Sequence, residues 1–141
     1  LLKLCPQGKV YGMDLSEESV AFARRHNAGE LDRRCFIQQG DVCSLPYGDG
    51  AFDAVTAFET VYFWSSVSKA LAEVFRVIRK GGCFLISLEA SDPELGKAWT
   101  ERIKGMTVYG AEELKQLLSQ AGFSDIRVIQ KKEELHIVAH K

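Results

Sequence analysis

Continuous apolar runs, each ended by an acid or a glycine and set with helix-forming stretches in the order strand, helix, strand, strand, helix, strand, define the architecture open to this chain. The runs Lys9 to Met13, Cys35 to Gln39, Ala51 to Phe58 and Gly82 to Leu88 do not alternate polar with apolar residues. That is the pattern of strands covered on both faces of a parallel sheet. Between them lie segments of helical period. Ser16 to Asn27 opens on an N-cap serine with Glu17 and Glu18 in the first turn, where the helix dipole favours acids. Its apolar face is expected to be Val20, Ala21, Phe22 and Ala23. Ser66 to Arg79 carries Leu71, Val74, Phe75 and Ile78 at i, i+3, i+4, i+7 and stops at the pair Gly81-Gly82. Further helices are expected at Pro93 to Lys104 and Gly110 to Ala121. The tail reads as strands Asp125 to Gln130 and Leu135 to His140 around the turn Lys131 to Glu134. A connection that short permits only antiparallel pairing.

The expected fold class is therefore α/β: a Rossmann-like, doubly wound, mostly parallel sheet with an antiparallel C-terminal strand. At 141 residues, without repeats or a linker, the sequence reads as a single domain over residues 1–141. A net charge of −1, from 18 basic and 19 acidic residues, gives no global field for nucleic acid or an anionic membrane. No apolar run approaches the roughly 18 residues of a membrane helix. Cys5, Cys35, Cys43 and Cys83 match neither a zinc spacing nor a redox pair, so no metal is expected. Reduced thiols suit a cytoplasmic location.

Chemistry gathers at the strand ends, where open α/β sheets bind ligands. Asp14 closes Val10-Tyr-Gly-Met-Asp14 and has two readings: an acceptor for ribose hydroxyls, or an acid that starts a turn and assists the next helix. Asp41, in Gln39-Gly-Asp41-Val42, is either an acceptor for an adenine amino group, with Val42 against the purine face, or a Gly-Asp turn. Asp53 reads as a capping or turn acid. The exit Phe58-Glu59-Thr-Val-Tyr62-Phe63-Trp64 is aromatic where a polar loop belongs. It either lines a pocket or packs under the next helix.

Taken in order, Val10-Tyr-Gly-Met-Asp14, Gly40-Asp41-Val-Cys-Ser-Leu-Pro46, Phe52-Asp53-Ala-Val55 and Glu73-Val-Phe-Arg-Val-Ile-Arg-Lys-Gly-Gly82 resemble the motifs of class I S-adenosylmethionine-dependent methyltransferases. The similarity is greatest to the small-molecule group of ubiquinone and menaquinone biosynthesis. The resemblance implies S-adenosyl-L-methionine as cofactor and a seven-stranded sheet. It places Asp14 on the cofactor ribose, Met13 and Leu15 beside the adenine, Asp41 and Val42 on the adenine ring, and Phe58 and Glu59 near the methionine part. It puts Tyr62, Phe63 and Trp64 at the border of a cavity for a small-molecule acceptor. No general base is implied, since methyl transfer rests largely on positioning. His26, His136 and His140 are not expected to be catalytic. The glycine-rich loop of such enzymes, with the central first strand that bears it, has no counterpart before Asp14. The expectation is an N-terminally truncated domain whose sheet either splits into two half-sheets with unpaired edges or pairs anew. Those exposed edges offer a route to a homo-oligomer. Two alternatives are an NAD-dependent oxidoreductase fragment, because an acid after a second strand also suits a dinucleotide ribose, and a binding module that kept a methyltransferase-like fold without its chemistry.

Overall fold

Local hydrogen bonds account for the first elements. Strand β1 (Val10–Asp14) passes into helix α1 (Glu17–His26) through Ser16, whose side chain accepts the Ser19 N–H at 3.2 Å, the cap read from the sequence. Arg24, Arg25 and His26 occupy the last turn, where the dipole favours cations. Val20, Ala21 and Ala23 are half-buried, but Phe22 is 65% exposed and stacks on His26, contrary to the expected apolar face. At 100° per residue, position 22 turns away from the stripe that 20 and 23 share. Strand β2 (Cys35–Gln39) runs parallel to β1, with Val10 opposite Cys35 and Asp14 opposite Gln39. Tyr11 and Phe36 stack at 4.9 Å across this pair. The Arg34 guanidinium donates to the carbonyls of Leu2, Cys5 and Gly8 and fastens the N-terminal residues.

The computed structural model describes residues 1–94, 96–132 and 134–141; Leu95, inside the expected third helix, and Glu133, inside the expected hairpin turn, lie outside the described residues. The chain divides into two compact units, Leu1–Ser44 and Leu45–Lys141. The first holds the β1–β2 sheet with α1.

The second holds a four-stranded sheet in the order β3-β4-β6-β5, made of β3 (Phe52–Phe58), β4 (Ile78–Leu88), β5 (Ser124–Lys131) and β6 (Glu134–His140). Strand β4 pairs parallel with β3 and antiparallel with β6, and β5 pairs antiparallel with β6. The C-terminal hairpin thus pairs as the sequence predicts. Helices α2 (Val67–Val77) and α4 (Ala111–Gln120) supply Leu71, Val74, Leu114 and Leu118 to a core with Phe84, Ile86, Leu88, Leu135 and Ile137, all at most 1% exposed.

Two expectations are corrected in this unit. Helix α2 ends at Val77 rather than Arg79, because Ile78 takes extended angles and pairs with Phe52, starting β4 four residues early. Gly81 (φ +74°) and Gly82 then absorb the irregularity. A Cβ on Gly82 would lie 2.7 Å from the Asp53 carbonyl oxygen, so only glycine fits the approach. The helix expected over 93–104 shrinks to α3 (Lys97–Thr100). Among the described residues of this segment Trp99 (53%) and Ile103 (37%) stay exposed, so these two large side chains add little buried apolar surface to stabilise a longer helix.

Candidate functional site

In the first unit the strand ends are arranged by backbone hydrogen bonding to their own acids. Asp14 Oδ1 accepts the Ser16 N–H at 2.8 Å, which holds an exposed carboxylate at the C-terminal tip of β1 and opens α1. Asp41 repeats the device two residues beyond β2: its Oδ1 accepts the Cys43 N–H at 2.8 Å, and its carbonyl accepts the Ser44 N–H. The turn role considered for each acid is therefore present, and in both cases it orients the carboxylate. The Gly40 N–H donates to the Asp14 carbonyl at 3.0 Å and extends the parallel ladder to the base of Asp41.

Met13, Gly40 and Gln39 complete this end. A Cβ placed on Gly40 would lie 2.5 Å from the Met13 sulfur, so the absence of a side chain at 40 makes room for the thioether. Leu15 is 69% exposed, and its carbonyl accepts the Gln39 Nε2–H at 2.9 Å. Gln39 thereby fixes the turn that carries Asp14 and Leu15. It was not singled out from the sequence, because its place opposite Asp14 is set only by the pairing of β1 with β2. Val42 is half-buried beside Asp41.

In the second unit the exit of β3 is built around Glu59. Its φ of +55° is left-handed, a conformation that costs a non-glycine residue about 1–2 kcal/mol. The Glu59 N–H donates to the Ser87 carbonyl on β4 at 3.0 Å, and a short 3₁₀ turn, Val61–Phe63, follows at once. Tyr62 is 4% exposed; its hydroxyl donates to Glu59 Oε2 at 3.2 Å and accepts the Ala90 N–H at 2.9 Å. Burial, seconded by the Glu59 charge, pushes the Tyr62 hydroxyl up to about 12, so it keeps its proton at neutral pH.

The aromatic residues of this exit do not share one environment. Phe58 and Phe63 are about half exposed, at 49% and 51%; Tyr62 is enclosed; Trp64 stacks on the core residue Phe84, with centroids 6.4 Å apart. His136 Nδ1 lies 3.0 Å from Ser87 Oγ, and His26 stacks on Phe22. Asp53 accepts from Arg79 at 2.7 Å, and that hydrogen bond lowers its pKa. Among the described residues no cluster of histidine, cysteine and acidic side chains could hold a metal ion. No helix of the described residues is long and apolar enough to cross a membrane.

Residues 1–86 match the family model described as a methyltransferase domain, more than half of the chain. The chain belongs to that family. As a member of the class I S-adenosylmethionine-dependent methyltransferases, it is 37% identical over 92 residues to the demethylmenaquinone methyltransferase of Symbiobacterium thermophilum, covering 64% of this chain and 36% of the relative. It is 35% identical over 102 residues to the ubiquinone/menaquinone biosynthesis C-methyltransferase of Dinoroseobacter shibae, covering 70% and 40%. A solved S-adenosylmethionine-dependent methyltransferase from Thermotoga maritima superposes with a TM-score of 0.79 at 23% identity, over 93% of this chain and 72% of that one, which shows the shared Rossmann-like fold. The chain thus spans well under half the length of these curated relatives. The cofactor of the family is S-adenosyl-L-methionine. The aspartates at the β1 and β2 ends of this methyltransferase-family chain fit its nucleoside part: two anchored acceptors, with the Met13 thioether over Gly40 as an apolar surface.

Proposed function

We propose that this chain binds S-adenosyl-L-methionine and serves methyl transfer to a small, largely apolar molecule. The observation that carries the reading is the pair of strand-end aspartates, each held by the N–H of its own turn, with Gly40 between them leaving space for Met13. Asp14, with one oxygen engaged by Ser16, offers the other to the ribose hydroxyls. Asp41 receives the adenine amino group. Met13, Leu15 and Val42 supply the apolar surface that a purine ring requires. Phe58 and Glu59 contact the methionine part in this reading, and Tyr62, Phe63 and Trp64 border the methyl acceptor.

The cofactor supplies a methyl group on an activated sulfonium, so the task left to the chain is to bind and orient. The side chains of the site bind and orient, and none of them needs to move a proton. The quinone methyltransferases among its relatives, and the exposed Phe58 and Phe63, support an apolar small-molecule acceptor over a nucleic acid. The four free thiols are consistent with a cytoplasmic location, and β1 and β3, each at an end of the strand order of its sheet, offer a route to a homo-oligomer.

Calorimetric titration of the chain with S-adenosylhomocysteine and, separately, with NAD tests the reading. Saturable binding of S-adenosylhomocysteine, lost in Asp14→Asn, is expected. Binding of NAD instead would favour a dinucleotide site, and silence with both ligands would favour a binding module without this chemistry.

A further inference from the structure

The exit of β3 contains an arrangement that a simple packing role for Tyr62 does not require. Glu59 sits in the left-handed region, with its N–H committed to the Ser87 carbonyl, so its backbone is fixed to β4. Three residues on, the enclosed Tyr62 returns its hydroxyl to the Glu59 carboxylate and takes the Ala90 N–H on its oxygen. Ala90 follows the end of β4 by two residues. One phenol therefore links the side chain leaving β3 to the backbone leaving β4, and the Thr107 N–H, bonded to the Tyr62 carbonyl at 2.9 Å, ties in a third segment. A tyrosine buried only for its ring needs one hydrogen-bond partner; this one uses its hydroxyl both as donor and as acceptor.

We propose that Tyr62 is a positioning residue: it holds the Glu59 carboxylate at the mouth of β3 in the orientation in which it meets the cofactor. The inference rests on the reading of Glu59 as a cofactor contact given above. Tyr62 acts through Glu59 and touches no reacting atom. Strain at Glu59 supports the assignment, because a left-handed non-glycine residue persists only where its surroundings over-determine it, and such residues concentrate at ligand sites. Because the hydroxyl stays protonated through neutral pH, the brace is a constant donor.

The test compares the chain with Tyr62→Phe, Glu59→Gln and the double variant, using S-adenosylhomocysteine as the titrated probe. Phenylalanine keeps the ring and its edge contact with Phe63. Tyr62→Phe is expected to weaken binding roughly tenfold, as loss of a hydrogen bond to a charged group does. Glu59→Gln should weaken it at least as much. The double variant should bind no worse than Glu59→Gln alone, since residues acting as one unit are not additive. Unchanged binding in Tyr62→Phe, or a loss that adds in full to that of Glu59→Gln, would overturn the proposal. A measurement without ligand keeps the two readings apart. Amide exchange at Ala90 and Glu59 should accelerate in Tyr62→Phe while Ile137, deep in β6, stays protected. Unchanged exchange at Ala90 overturns the brace whatever the titrations show. Accelerated exchange in a chain that takes up no S-adenosylhomocysteine supports the brace and refutes the cofactor reading of Glu59.

Discussion

Replacing Glu73 by glutamine should destabilise the second unit in a pH-dependent manner. Glu73, on α2, accepts the Leu45 N–H at 2.8 Å and pairs with Arg76 at 2.7 Å; Arg76 in turn donates to the carbonyls of Leu45 and Tyr47 and to Asp49. These bonds clamp the segment 45–49 to the helix. The Arg76 hydrogen bond chiefly, with the Leu45 N–H adding, holds the Glu73 carboxyl at about 2, against an ordinary 4.5. At 1.36 kcal/mol per pH unit the difference bounds the contribution at about 3 kcal/mol. With 22% of the side chain open to solvent, screening leaves about 1–2 kcal/mol. The folded value is the lower one, so the contribution is fully present above about 4.5 and fades as the pH falls toward 2. Urea unfolding followed by circular dichroism at pH 7, 5, 4 and 3 measures it. Glu73→Gln should lie about 1–2 kcal/mol below the parent chain at pH 7, and the gap should narrow steadily below pH 4.5. Equal stability at pH 7, or a gap of constant size down to pH 3, would refute the assignment of this stability to an ionised Glu73.

Three further outcomes follow from packing and backbone geometry. Leu71→Ala empties a fully buried site in the core of the second unit and should cost about 2–5 kcal/mol in the same urea titration. Gly122→Ala places a Cβ 2.9 Å from the Phe75 ring at φ +106°, so a loss of about 1–3 kcal/mol is expected, whereas a tolerant site would show none. Ser16→Ala removes the cap of α1 and should cost about 1 kcal/mol, seen as faster amide exchange confined to the first turn of α1.

Elements whose cause is local were readable from the chain. Ser16 could be recognised because its cap bonds reach only to Ser19, and α2 because its apolar face repeats within one helix. The C-terminal hairpin followed from the length of its turn. Where a distant partner decides, the sequence was mute. Ile78 continues an ideal helical period, and only its pairing with Phe52, 26 residues earlier, draws it into β4. The stretch 93–104 has acceptable helix formers, but Trp99 and Ile103 bury too little to hold a long helix. The site divides in the same way. Asp14 and Asp41 stood out as acids at the ends of apolar runs, while Gln39 and the second partner of Tyr62 depend on contacts 24 and 28 residues apart. Tyr62, Phe63 and Trp64 read as one aromatic cluster, yet a single 3₁₀ turn sends them to three environments.

The proposed role of the strand-end aspartates of the first unit is to hold the nucleoside of the cofactor. Amide chemical shifts recorded while S-adenosylhomocysteine is added to the isotopically labelled chain test it most directly. Saturable shifts are expected at residues 14–16 and 40–43, abolished in Asp14→Asn, with Lys9 and Arg34 at the opposite ends of β1 and β2 unmoved. Saturable binding that leaves residues 14–16 and 40–43 unshifted, or the absence of any shift along the chain, would contradict it.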